Sequence, residues 1–170
     1  MYLRRLKEKD SELMLEWMHD LDVVNFLQTD FSKKEINDCE LFIKNAENMN
    51  RDIHLAIAND QDEYLGTVSL KHLHNGKAEF GITVRKCAMG TGIAIEAMKK
   101  IFFIAFNDLG LHEIYWCVNK QNLRAIKFYD KNNFQRININ DGNLNCEIQQ
   151  LGYYTKDQIE NYLWYHFVSF

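Results

Sequence analysis

An apolar run with the alternation of a strand, Phe80 to Val84, is followed within a few residues by Met89-Gly90-Thr91-Gly92-Ile93-Ala94. That loop opens a long amphipathic stretch, Ile93 to Asn107. Strand, closely spaced glycines, helix is an order with few solutions. Glycine permits a sharp turn and close approach of the backbone, so N–H groups can meet an anion at the positive end of the helix dipole. The loop therefore reads as a phosphate or pyrophosphate cradle. Glycines also make ordinary turns, so this reading takes its weight from residues further on, Asn122 and Tyr129.

The chain has 170 residues and no proline, which leaves its turns to Gly, Asn and Asp. Met1 to Lys7 reads as a strand. Asp10 is placed to cap a helix with Leu13, Leu15, Trp17 and Met18 inward. A second helix is expected to start at Asp30 or Ser32, with Ile36, Leu41, Ile43 and Ala46 inward. Ile53 to Ala58, Tyr64 to Leu73 and Ala78 to Val84 alternate as strands, the last two joined by Asn75-Gly76, a strong hairpin turn. Gly110 ends the long helix. His112 to Val118 is a strand and Leu123 to Lys131 a helix. Phe134 to Ile139 and Asn143 to Leu151 read as a hairpin around Asp141-Gly142. Thr155 to Phe167 reads as a closing helix with Thr155 as its cap. The order predicts one α/β domain of α+β type over residues 1–170: a mixed, mostly antiparallel sheet flanked by helices, with a right-handed crossover at the glycine loop.

Composition excludes several classes. Apolar residues make up 46% and charged residues 26% of the chain, which is globular and not disordered. A net charge of −4 gives no basic footprint for nucleic acid. No stretch approaches the roughly 20 apolar residues of a membrane span, and Met1 to Asp10 is charged and alternating, unlike a signal peptide. The expected location is the cytoplasm. Cys39, Cys87, Cys117 and Cys146 are scattered, with no metal-ligand spacing and no disulfide pattern.

The loop Met89 to Ala94 and the segment Asn122-Leu123-Arg124-Ala125-Ile126-Lys127-Phe128-Tyr129, ending in Asn133-Phe134, together resemble the two signatures of the GNAT superfamily of acyl-CoA-dependent N-acetyltransferases. The resemblance covers nearly the whole chain and is densest from Glu79 to Phe134. Phe106 to His112 is also typical. Two positions depart from it: Met89 stands at the loop entrance where the family carries Arg or Gln, and Asn133 replaces a Gly whose left-handed backbone Asn tolerates.

The resemblance implies acetyl-CoA as cosubstrate and no metal. It implies a cofactor site of Met89, Gly90, Thr91, Gly92, Ile93 and Ala94 for the pyrophosphate. Backbone of Ile82, Thr83 and Val84 would line the pantetheine arm, with Asn122 as a further contact. It places Tyr129 beside the CoA sulfur as the acid that protonates the leaving thiolate, from a phenol of ordinary pKa near 10. Glu79 is the candidate general base, with His72 and His74 as second choices. Asn122 is equally a helix N-cap, and Tyr129 and Glu79 have structural readings as a core aromatic and a solvated strand residue.

The implied reaction is direct acetyl transfer to a primary amine of a small molecule, such as an amino sugar. Glu16, Asp20, Asp22 and Asp30 stand where a cationic amine could be held. The opening also resembles the branch of the family that holds ribosomal-protein N-terminal and nucleotide-amino-sugar acetyltransferases, so a protein N-terminal amine is the alternative acceptor. A non-catalytic acyl-CoA-binding module is the alternative of another class. Ile159, Tyr162, Leu163 and His166 would form one stripe of the closing helix and Trp164, Phe167 and Val168 another, predicting a homodimer through this segment.

Overall fold

The computed structural model describes residues 1–48, 51–139 and 143–169, which form two compact units, Met1–His112 and Glu113–Phe170. The fold is α/β, with mostly antiparallel sheet flanked by helices.

In the first unit, β1 (Tyr2–Arg5), β2 (Ile53–Ala58), β3 (Tyr64–His74) and β4 (Lys77–Val84) form an antiparallel meander. Its helices are α1 (Ser11–Met18), the single turn α2 (Leu21–Val24), α3 (Ile36–Asn45) and α4 (Ile93–Phe103). Helix α4 runs on through a π turn over Ile104–Asp108 before Gly110, at φ +66°, ends it.

Register fixes two unlike faces on this sheet. Leu55, Val68 and Ile82 stand opposite one another across β2, β3 and β4, as do Ile53, Leu70 and Phe80. This apolar face is buried except at Ile82, and Phe80 meets Phe102 of α4 edge to face at 5.2 Å. The alternate residues are polar: His54, Ser69 and Gly81 align, as do Lys71 and Glu79. Helices α1 and α3 meet this second face through a core of Met14, Trp17, Met18, Cys39, Ile43 and Tyr64. Trp17 Nε1 donates to the Tyr64 hydroxyl at 3.0 Å, and that hydroxyl lies 2.7 Å from Thr67 Oγ1. The polar strip is thus covered by hydrogen-bonded groups, which removes the cost of burying it.

In the second unit, β5 (Glu113–Asn119) and β6 (Gln135–Ile137) both pair antiparallel with β7 (Tyr162–Val168). Helices α5 (Leu123–Lys131), α6 (Asn143–Leu151) and α7 (Lys156–Asn161) complete it. Trp116 and Tyr165, opposite in register, stack at 5.6 Å and 8° on one face, while Tyr115, Ile148 and Trp164 are buried together on the other.

Several expectations are corrected. Asp10 does not cap α1 with its side chain: it is buried, accepts from the Lys7 N–H and takes the two terminal guanidinium nitrogens of Arg4 at 2.7 and 2.8 Å. The second predicted helix begins at Ile36, after residues 31–35, where Asp38 accepts from the Glu35 N–H. Asn143–Leu151 is a helix and not a strand; the Asp141-Gly142 turn expected before it lies outside the described residues. The closing helix stops at Asn161, and Tyr162–Val168 is a strand paired on both edges, with β5 and β6. Thr155 does cap α7, accepting from the Gln158 N–H at 3.2 Å. A run of aromatic and β-branched residues suits a strand buried on both faces, and pairing on both edges overrides the helical spacing. Trp164 and Tyr165 are buried within the unit, so the two-sided helix from which a homodimer was expected does not exist.

Candidate active site

Strand β4 loses cover along its length. Ala78, Glu79 and Phe80 are buried, while Ile82, Thr83 and Val84 are half-buried. Arg85 then anchors the strand end, donating to Glu16, to Glu63 and to the Tyr64 carbonyl. A 3-10 turn, Lys86–Ala88, leads into the glycine loop.

In that loop Gly90 and Gly92 both have positive φ, +76° and +88°, and Gly92 is the N-cap position of α4. A Cβ built at either would meet nothing within 4 Å. The loop is braced from within by Thr91 Oγ1, which donates to the Ala88 carbonyl at 2.7 Å, and by Met89, whose side chain packs on the α1–α3 core. Met89 thus has a packing role. Among the described residues, no backbone acceptor outside the helix takes the N–H groups of Gly90, Thr91, Gly92, Ile93 or Ala94. Two left-handed glycines, unengaged amides and open space above them fit a pyrophosphate.

Asn122 is the N-cap of α5, its Oδ1 accepting from the Ala125 N–H at 3.1 Å. Its capping role is therefore present in the structure. Tyr129, on the same helix, sits among Trp116 at 5.2 Å, Phe128 at 5.1 Å and Tyr165 at 5.1 Å between ring centres. Burial pushes its phenol well above the ordinary value, and Tyr165 and Cys117 push the same way. The expectation of an ordinary phenol is corrected accordingly: this hydroxyl holds its proton more tightly than one in water.

Glu79 is not a solvated strand residue. It is buried, with Lys71 Nζ 2.7 Å from Oε1 and His72 Nδ1 3.0 Å from Oε2. The hairpin itself makes this cluster. A register shift between Lys71 and His74 leaves His72 at φ +54°, a left-handed conformation uncommon for histidine. The His72 N–H donates to Asp52 Oδ1 at 2.8 Å and the Leu73 N–H to the Arg51 carbonyl, which fixes the bulge. His74, by contrast, is exposed at the hairpin tip. Alternation alone could not reveal that His72 and Lys71 both turn to Glu79, because the bulge breaks it.

The acidic stretch is largely engaged by the protein itself. Glu16 holds Arg85, Asp22 holds Lys86, Asp20 caps α2 and Asp30 accepts from the Ser32 N–H. Asp30 also lines an open cleft of about 450 Å³ together with Met18, His19, Leu21, Leu27 and Phe31. The cleft is mixed in character, with one carboxylate and several apolar walls.

Comparison with known proteins bears on these features. Residues 1–135 match the family model of the acetyltransferase (GNAT) domain. The chain is 28% identical to the uncharacterized N-acetyltransferase p20 of Bacillus licheniformis over 145 residues, 79% of this chain and 78% of that protein. It is 22% identical to acetyltransferase PseH of Campylobacter jejuni over 76% of this chain and 79% of that one. A shorter match, 36% over 67 residues, covers 39% of the chain and 36% of the spermidine N(1)-acetyltransferase of Escherichia coli. Among solved structures, the spermidine N-acetyltransferase of Vibrio cholerae in complex with CoA and spermine has the same fold, with a TM-score of 0.76 at 17% identity over 98% of this chain and 94% of that one.

Proposed function

The chain belongs to the GNAT family of acetyl-CoA-dependent N-acetyltransferases, and from that premise we propose that it acetylates a primary amine of a small molecule in the cytoplasm. The acetyl group passes directly to the amine while both substrates are bound. The observation that carries this reading is the glycine loop, whose amides are unengaged beneath open space at the start of α4. Gly90, Thr91, Gly92, Ile93 and Ala94 hold the pyrophosphate through their N–H groups, with Met89 fixing the loop from behind. The half-covered backbone of Ile82, Thr83 and Val84 serves the pantetheine arm, and Asn122 contributes from the start of α5. Bound acetyl-CoA supplies a thioester, an acyl group already activated toward an amine.

The chain's own groups handle the protons. An amine must lose its proton to attack, and the thiolate that leaves must gain one. Tyr129 is assigned the second task. Its raised pKa keeps the hydroxyl protonated across the physiological range, and a thiolate released among apolar groups is itself more basic than in water. The Glu79 cluster is assigned the first task. Two acceptor classes fit a small-amine reading: an amino sugar, and a polyamine of the kind named for the Escherichia coli and Vibrio cholerae enzymes.

Thiol release from acetyl-CoA, measured with spermidine, glucosamine and a peptide bearing a free N-terminus, tests the reading. Turnover with a small amine and none with the peptide is expected. Turnover of the peptide alone would make the chain a protein N-terminal acetyltransferase, and CoA binding without thiol release from any amine would make it a binding module. Light scattering on the same sample reports whether the active species is one chain or a homodimer.

A further inference from the structure

We propose that His72 is the general base of this acetyltransferase and that Glu79 is a positioning residue that orients the His72 ring. The inference rests on the amine-acetylating reading above and assigns roles within it.

Four observations converge. First, both Glu79 oxygens already face donors, Lys71 Nζ at 2.7 Å and His72 Nδ1 at 3.0 Å. Second, the His72 backbone is held in the left-handed region at φ +54°, which is unfavourable for a non-glycine residue and persists only where its surroundings enforce it. Asp52 enforces it by accepting the His72 N–H at 2.8 Å. Third, the bulge that produces this conformation turns His72 toward Glu79, and re-aiming a side chain is what bulges near functional sites do. Fourth, His72 Nδ1 is buried 3.0 Å from Glu79 Oε2, a charge contact that does not meet the geometry of a hydrogen bond, while the side chain as a whole is 24% exposed.

A neutral imidazole with its proton on Nδ1, facing a carboxylate, carries its lone pair on Nε2. That is the arrangement of a base held by a third group. Lys71 balances the carboxylate's charge, so Glu79 can fix the ring without being the proton acceptor itself. The charged and titratable groups around His72 are Lys71 and His74 on its own strand, Glu79 on β4, and Arg51 and Asp52 on the approach to β2.

In the step so assigned, Nε2 takes the proton from the acceptor ammonium. The freed lone pair forms the N–C bond, the C–S bond breaks, and the departing thiolate takes the Tyr129 proton. The acylated nitrogen gives up its second proton, which returns through water to the Tyr129 phenolate, while the imidazolium proton passes to solvent, so one proton is released overall for each acceptor that begins as an ammonium.

The test combines kinetics with nitrogen NMR of the imidazoles on the full chain. His72→Asn tolerates the left-handed backbone but cannot serve as a base; with spermidine or glucosamine as acceptor it should lower kcat by roughly 10²–10⁴-fold. The KM for acetyl-CoA should barely move, and the ascending limb of the pH profile should disappear. Lys71→Met should shift that limb toward higher pH, since an uncompensated carboxylate favours the protonated ring. A purely structural cluster would move neither limb. The NMR spectrum should show the His72 proton on Nδ1 in wild type and a mixture of tautomers in Glu79→Gln. Wild-type kcat and an unchanged pH profile in a folded His72→Asn, with His72→Gln agreeing, would overturn the proposal. So would an Nε2 proton in wild type. If wild type acetylates no amine, the small-amine reading fails, and the NMR tautomer alone then decides the His72–Glu79 pairing.

Discussion

Arg85 closes on Glu16 through two parallel contacts, Nε to Oε1 at 3.1 Å and Nη2 to Oε2 at 3.0 Å, and so ties the end of β4 to α1 directly ahead of the glycine loop. The same guanidinium reaches Glu63 and the Tyr64 carbonyl. Lysine could not reproduce this fork. Because both carboxylates are about half exposed, they return to water when the arginine is removed. Arg85→Met should therefore cost only about 1–3 kcal/mol in urea unfolding. Glu63 adds a pH signature: its hydrogen bond to Arg85 holds its carboxyl below the usual range. A depressed carboxyl stabilises the fold above its unfolded value and loses that contribution as pH falls through the folded one. The acid limb of stability against pH should be shallower in the variant.

His54 makes the opposite end of the sheet sensitive to mild acid. Burial lowers its pKa below the ordinary value, and Nδ1 lies 2.8 Å from Ser69 Oγ beneath the ring of Phe42. The unfolded chain binds that proton more readily than the folded one. The stabilisation is thus complete above the unfolded value, near 6.5, and declines as pH falls through the lower folded value. Thermal midpoints measured from pH 8 to pH 5 should fall less steeply in His54→Gln than in wild type. Equal slopes would show that the ring titrates freely.

Tyr129→Phe separates chemistry from packing. No hydrogen bond from the phenol to another described residue accompanies its ring contacts, so removing the hydroxyl should alter stability by less than about 0.5 kcal/mol. Its kcat for acetyl transfer should nonetheless drop by roughly 10²–10⁴-fold with CoA affinity retained. A variant with wild-type kcat would leave Tyr129 as a core aromatic and nothing more.

Gly66 and Gly90 should respond differently to alanine. A Cβ at Gly66 would lie 2.3 Å from the Thr83 carbonyl oxygen and 2.8 Å from Val84 Cα, both backbone atoms of the paired strand. Gly66→Ala must push β3 from β4, at about 1–3 kcal/mol or more, and should weaken CoA binding in calorimetry through Thr83 and Val84. At Gly90 the space is open and only the positive φ opposes a side chain, so Gly90→Ala should lose roughly 1–2 kcal/mol of stability. Equal losses at the two sites would contradict the close approach at Gly66.

What the sequence disclosed follows a physical rule. Asn75-Gly76, the glycine loop and the Asn122 cap are legible because local backbone chemistry decides them; Asn75 and Gly76 both take positive φ as that turn requires. Residues 143–151 and 162–168 are not, because short apolar runs fit helix and strand alike until a partner is known. Tyr162 to Val168 becomes a strand by pairing with β5 and β6, an event remote in sequence. The candidate site divides the same way. Glu79 is found by its place before the loop and faces Lys71 in regular register, whereas its contact with His72 depends on a bulge that no residue type announces.

The position of β7 also sets an order of assembly. β6 joins the ladder only through β7, and β5 takes β7 along one of its edges: Val168 pairs with Glu113 and His166 with Gln135. Of these three strands, the one that lies between the other two is synthesised last. While the chain is growing on the ribosome, β6 and the edge of β5 that takes β7 must therefore wait unpaired until Val168 has cleared the exit tunnel. The glycine-loop unit, complete at His112, is free to fold well before that moment.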